Sequence, residues 1–382
     1  MKPTLLVVLV AVASACHSGI TGPPDLAVAD MAAAPVNKVD VLFMLDNSLS
    51  TSHLRDELKK RFPMFVKAID DASAASHPAS YHFGVVTSDL GAGTNTTACK
   101  PGGDGGRLQV GADPSALNIP ANCQGFAPTG GARFLDYNQL DGTDNFGDLD
   151  LPSAFNCIAS TSSSGCGFEH VLESVYKALH DPVPGNEGFL RQDALLVVLY
   201  LTDEDDCSAP ADSDLFDPAL TTYGTLHSFR CTQYGITCGD TAQPLPDSAA
   251  GQPLTNCRPL PTANGGKLFD VERYVDFFTK PAAMGGVKEN PADVILAAII
   301  PPPTPFGVQA TMPCADQVNT ASCPILQHSC VAATNSMFFG DPAVRVAAVV
   351  NAAANSQVTS LCDTDYSAAV AGLAQKIVAR LK

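Results

Sequence analysis

Four short apolar runs set the rhythm of the chain: 39–45 (VDVLFML), 81–87 (YHFGVVT), 194–201 (ALLVVLYL) and 294–300 (VILAAII). Each is rich in Val, Ile, Leu or Phe without strict polar alternation. That is the pattern of strands buried on both faces, in a parallel sheet covered by helices. Between the runs the apolar period lengthens to three or four residues. Leu54, Leu58, Phe62, Phe65, Ile69 and Ala72 mark one helical stripe, which Pro63 is expected to kink. Phe168, Val171, Leu172, Val175 and Leu179 mark a second, and 269–278, 344–353 and 366–381 give further helices. Strands alternating with helices predict an α/β domain with a doubly wound, mostly parallel sheet.

Two stretches, 91–160 and 207–267, break that rhythm: they are rich in Gly, Pro, Asp, Asn and Cys and poor in apolar runs. Loops of this length are unusual inside a compact domain unless something else holds them. Cysteines are the obvious candidate, so both stretches are expected to be disulfide-held insertions in one domain spanning 39–382. The 13 cysteines are an odd number. Setting Cys16 aside leaves twelve, enough for six bridges, with about ten thousand possible pairings. No C-x-x-C pair occurs, which argues against a zinc or thiol-redox cluster.

Cys16 has its own explanation. Residues 1–15 carry Lys2, an apolar run over 5–13, and the small residues Ala13-Ser14-Ala15 directly before the cysteine. The run is too short to span a bilayer and has the layout of a secretory signal. Ala13-Ser14-Ala15-Cys16 resembles a bacterial lipobox, with Ala13 where Leu is preferred. The resemblance implies a lipid on Cys16, whose acyl chains contribute about 0.8 kcal/mol per buried CH₂. Residues 16–38, Pro/Ala/Gly-rich and aperiodic, are then a flexible stalk. The expectation is an exported protein, in the periplasm or at the cell surface, held to a membrane by the lipid alone. The net charge of −17, from 39 acidic and 22 basic residues, argues against nucleic acid as a partner.

In open parallel sheets ligands bind at the carboxyl ends of the strands, near the topological switch point. Two strand ends here carry oxygen-rich sequences: Asp46-Asn47-Ser48-Leu49-Ser50 after the first run, and Thr202-Asp203-Glu204-Asp205-Asp206 after the third. The first, D-x-S-x-S, resembles the motif that opens the metal site of von Willebrand factor type A (vWA) domains. The second, L-T-D before an acidic loop, resembles a later motif of that family. With GCGFEHVLESVYKAL between them, the chain is similar to vWA-type lipoproteins of myxobacteria over 39–382, the two insertions apart.

The resemblance implies a site in which Asp46, Ser48, Ser50 and Asp203 hold Mg²⁺ or a similar ion (Mn²⁺, Ca²⁺). Its open position would take a carboxylate from a protein partner. Hard cations do take such oxygen sets and keep several waters, and a helix starting near Ser52 adds partial positive charge toward the same anion. The family also supplies a threonine from the loop before the helix at Phe168. Here Gly165 or Cys166 falls at that position, and Thr161 reaches the site only if the loop folds back. Asp205 is a further candidate ligand.

Other readings bear on the same residues. Asp46 to Ser52 also has the composition of a helix N-cap. Asp203 to Asp206 with Asp212 or Asp214 is a possible Ca²⁺ loop, as are Asp136, Asp141, Asp144, Asp148 and Asp150, though without the order of a calcium-binding loop. A structural envelope protein with a vestigial metal site is one alternative function. A hydrolase using Asp46 is another, but the haloacid-dehalogenase-like pattern wants a second Asp where Ser48 stands. No G-x-S-x-G, H-E-x-x-H or phosphate-cradling glycine loop is present. An enzyme is therefore not the expectation.

Overall fold

The computed structural model describes residues 35–93, 99–224, 226–246, 249–252, 254–311 and 323–381. The signal segment, Cys16 and the stalk to residue 34 lie outside the described residues. Folded structure begins just before the expected boundary: Val36 bridges to Leu381 and donates to the Arg380 carbonyl at 2.8 Å.

A seven-stranded sheet organises the chain. Its strands are β1 (Lys38–Leu45), β2 (Ser80–Thr87), β3 (Leu135–Asn138), β4 (Thr143–Asp144), β5 (Leu195–Leu201), β6 (Val294–Ile300) and β7 (Ser356–Ser360). Their spatial order is β7-β6-β5-β1-β2-β3-β4. The pairs β1/β2, β1/β5, β5/β6 and β6/β7 are parallel, whereas β3 pairs antiparallel with both β2 and β4. The helices are α1 (Ser52–Ala74), α2 (Leu151–Ile158), α3 (Val171–His180), α4 (Phe229–Gly235), α5 (Glu272–Thr279), α6 (Val344–Ala352) and α7 (Ser367–Val378). Each of the four apolar runs is a strand, and α1 continues through Pro63.

The strand pleat sends alternate side chains to opposite faces, and both faces are dry. Val39, Val41, Phe43 and Leu45 of β1 pack with α1, α2 and α7. Leu42 and Met44 pack with α3, α5 and α6. The first layer has an aromatic centre: Phe62 stacks on Phe155 with ring centroids 3.7 Å apart, and Phe43 meets Phe155 edge-on at 4.7 Å. Each fully buried side chain of this kind stabilises by about 1.5–3 kcal/mol.

The stretch 91–160 is more than a loop. It supplies β3 and β4 to the sheet edge, and α2 buries Ala154, Phe155 and Ile158 in the core. The stretch 207–267 holds α4 and the small antiparallel pair Ile236–Thr237 with Arg258–Pro259. Five disulfides are described: Cys99–Cys166, Cys123–Cys157, Cys207–Cys231, Cys238–Cys257 and Cys330–Cys362. Of the twelve cysteines, Cys314 and the side chain of Cys323 lie outside the description.

Candidate functional site

The chain leaves β1 toward β2 on one side and later returns to place β5 on the other. The switch point is therefore the pair β1/β5, and both oxygen-rich loops leave from it. Register makes Leu45 and Leu201 partners, and the Asp46 N–H donates to the Leu201 carbonyl at 2.9 Å. Asp46 and Asp203 thus emerge side by side, one fully buried and the other 3% exposed.

Every polar atom of Asp46 has an assignment. Its Oδ1 accepts the Ser48 N–H at 2.8 Å, and its Oδ2 accepts the Thr202 hydroxyl at 2.7 Å. Its carbonyl accepts from the Thr51 hydroxyl at 2.8 Å and from Arg55 Nη1. The Ser48 and Ser50 hydroxyls lie 2.9 Å apart, and the Ser50 hydroxyl bonds the Asp203 carboxylate. The capping alternative is not realised at the N-cap residue: Thr51 makes no side-chain cap to α1. Asp203 Oδ1 has no hydrogen-bond partner.

The loop before α3 does fold over this centre. Its Gly165 N–H donates to the Asn47 carbonyl at 3.2 Å, and a Cβ at Gly165 would lie 2.4 Å from Asn47 Oδ1. Arg55 joins the two loops, donating to the Ser48 carbonyl at 3.2 Å and to Ser163 Oγ at 2.9 Å. Thr161, two residues from Ser163, is 2% exposed with its hydroxyl unpartnered. Cys166 ends the loop in its bridge to Cys99.

Two residues that the motif left aside belong to the same neighbourhood. Glu169, just before α3, is 2% exposed; Ser88 bonds its Oε2, and its Oε1 has no partner. Burial first, then the charges of Asp46 and Glu204, push its pKa well above the usual carboxylate range. Asp203 is pushed up in the same way by burial and Asp46, and Glu204 by burial, Asp203 and Asp341. Against these stands Arg55, 4% exposed: burial lowers its pKa, and the charges of Asp46, Asp56, Asp203 and Glu169 act against that shift. Thr202, already inside L-T-D, was legible as the residue that orients Asp46. Glu169 carried no signal beyond being an acid at a helix start.

Asp205 has a different task from the one expected. Its carboxylate accepts the N–H groups of Val344, Arg345 and Val346 at 3.0–3.2 Å, satisfying the start of α6. Asp206 accepts from Leu172 N–H and pairs with Arg345 at 3.1 Å. Asp214 accepts from Tyr223 and Lys267. Asp141, Asp144 and Asp150 hold turn or cap N–H groups of Thr143, Phe146 and Ser153. Asp205, Asp141, Asp144 and Asp150 thus accept backbone N–H groups, whereas Asp206 and Asp214 also pair with side chains.

The chemistry of the donor set fits a hard cation in kind: two buried carboxylates, paired hydroxyls, and an orphan oxygen on Asp203. Among the described residues no three His, Cys, Asp or Glu side chains close on one point as a metal cage. An oxygen set with only two carboxylates does not need that.

No family model matches the chain and no curated protein matches it. Among solved structures it is similar, over 51% of its length, to proximal thread matrix protein 1 from the mussel byssus. The identity is 13%, the TM-score is 0.24, and the match covers 38% of that chain.

Proposed function

We propose that this chain is an exported, lipid-anchored binding module of vWA type that recognises a protein partner through a divalent cation. Asp46, Ser48, Ser50 and Asp203 hold Mg²⁺ or a similar ion, with Thr161 reaching in from the folded-back loop. The ion supplies a Lewis-acidic position for a partner's carboxylate; the protein's residues fix its place and exclude competing donors. One observation carries this reading: two buried carboxylates emerge at the switch point of the sheet beside oxygens that have no partner of their own. Disulfides support an oxidising, extracytoplasmic setting.

Calorimetric titration with Mg²⁺, Mn²⁺ and Ca²⁺, on wild type and Asp46→Ala, tests the site. Binding at or below millimolar metal that the variant loses is expected; equal binding in both would overturn it. Mass spectrometry of the mature N-terminus tests the anchor, since an unmodified chain starting at Cys16 or His17 excludes the lipid.

Arg55 favours a second reading, a structural envelope protein whose metal site is vestigial, because a guanidinium already sits among the carboxylates. That reading predicts no metal binding and no gain in stability from divalent ions. The hydrolase reading has less support, since both oxygens of Asp46 are engaged and the side chain is fully buried.

A further inference from the structure

Residues 100–107 (KPGGDGGR) fold back onto β2 and α3. The Asp104 N–H donates to the Asp89 carbonyl and the Gln109 N–H to the Val85 carbonyl of β2, both at 2.8 Å. Asn186 clamps the segment, donating to the Gly106 carbonyl and accepting the Leu108 N–H, both at 2.9 Å. Gly106 has φ +74°, and a Cβ there would lie 2.9 Å from Lys177 Cβ, so glycine is what fits against α3. Beside this anchored segment opens a cavity of about 300 Å³.

Lys100, Arg107 and Arg133 line the cavity with one acid, Asp104. Among the described residues Lys100 and Arg107 make no ion pair, although the chain has 39 acidic residues for 22 basic ones. Exposed lysines elsewhere do reach acids, as Lys60 reaches Glu57 and Lys67 reaches Asp71. Arg133 is pinned through Nε to the Leu108 carbonyl at 2.6 Å, and neither of its Nη atoms has a partner among the described residues. Burial and then the like charge of Arg107 lower its pKa, against the charge of Asp104. The nearby acids are engaged elsewhere: Asp104 Oδ2 accepts the Thr87 hydroxyl at 2.6 Å, and Asp89 Oδ1 accepts the Gly91 N–H at 2.8 Å. Two guanidinium groups and an ammonium that share a cavity repel one another, and a bound anion relieves that repulsion.

Charge and lining narrow the anion. Three cations against one carboxylate leave two positive charges unmatched. A phosphate monoester carries about −1.5 to −2 at neutral pH and three strong acceptor oxygens, more charge than a carboxylate brings. Arginine forks suit phosphate bidentately. The volume reaches the lower end of the roughly 300–1,000 Å³ of small-molecule sites, which leaves room for a carrier of about one sugar ring. Among the described residues the lining is polar throughout, glycines apart, and the Gln109 amide adds donors and an acceptor. A hydroxylated carrier suits such walls and a hydrocarbon does not.

We propose that this cavity binds a phosphate monoester on a small hydroxylated carrier, a sugar phosphate. The site is independent of the cation reading at β1/β5.

Calorimetry on the disulfide-intact protein, in chelator at constant ionic strength, tests it with glucose-6-phosphate, glucuronate, inorganic phosphate and glucose. Saturable one-site binding of the sugar phosphate is expected, with glucuronate weaker by at least about tenfold, inorganic phosphate weaker as well, and glucose silent. Arg107→Gln, at an exposed position, should lose at least about tenfold in affinity, the scale of one charged hydrogen bond. Lys67→Gln removes the same charge from exposed α1 surface and should lose nothing, which separates a site from diffuse attraction. Arg107→Lys keeps the charge without the fork and should fall between wild type and Arg107→Gln. Asp46→Ala should lose metal and keep the sugar phosphate, so the two proposals fail separately. No saturation at millimolar sugar phosphate, equal binding by glucuronate or inorganic phosphate, or equal losses in Arg107→Gln and Lys67→Gln would overturn the proposal.

Discussion

Arg55 donates to acceptors on two loops at once, the Asp46 and Ser48 carbonyls and the Thr51 hydroxyl on one side, Ser163 Oγ on the other. A lysine keeps the charge but gathers its donors on a single nitrogen, so several buried acceptors would be left without partners. Arg55→Lys is therefore expected to cost about 2–4 kcal/mol in urea unfolding, although the charge is conserved. A second residue gives the pH dependence. His82 on β2 is 7% exposed; its Nδ1 lies 2.9 Å from the Phe189 carbonyl, and Asp40, Arg191 and Lys38 are the charges that face it. Burial holds its pKa below 6.5, so the unfolded chain takes a proton there that the folded chain refuses. That contribution to stability is present above pH 6.5 and is lost as the pH falls below it. Thermal unfolding between pH 7.5 and 5 should fall less steeply in His82→Gln than in wild type, and identical slopes would exclude this role. At this scale Asp46 and Asp203 were legible, because strand-end motifs name their positions. Arg55 and Glu169 were not: in a helix stripe each reads as one polar residue among many, and only the folded loops show that they are buried.

At the scale of elements, the long buried strands and amphipathic helices were legible because their periodicity follows burial. β7 (SQVTS) was not, since a half-exposed edge strand has little apolar pattern to read. Nor was α2, which is eight residues long and set among Gly, Asn and Asp, yet presents Phe155 to the centre of the core. If α2 is part of the core, Phe155→Ala should cost about 3–5 kcal/mol. A solvent-exposed insertion would lose almost nothing, so denaturant unfolding separates the two. The disulfides act on elements as well. Cys99–Cys166 closes a separation of 67 residues and ends the loop that carries Thr161 and Ser163. In the chain-entropy account its removal by Cys99→Ala with Cys166→Ala costs about 4 kcal/mol at most. The same double variant should weaken metal binding through the loop that it frees. Intact affinity in a destabilised protein would remove Thr161 from the site.

For the whole molecule, cations can stabilise in two ways that charge alone confuses. With a net charge of −17, self-repulsion is relieved by any salt, because charges on the surface are screened over about 8 Å at 0.15 M ionic strength. A site at β1/β5 instead responds to a divalent ion at constant ionic strength, by RT ln(1 + [L]/Kd), or about 2.7 kcal/mol at a hundred times Kd. Asp203→Asn separates them, and the sign changes with conditions. Burial and Asp46 push the Asp203 carboxyl up, so in chelator at neutral pH its charge opposes folding. The variant should then have the higher Tm of the two in chelator. Sodium chloride should raise the Tm of both proteins alike. Added Mg²⁺, with ionic strength held constant, should raise the wild type by a few degrees and leave Asp203→Asn unmoved, reversing their order. If Mg²⁺ lifts both equally, the ion is acting on the diffuse surface charge, and the carboxylates at the switch point are there for something other than a metal.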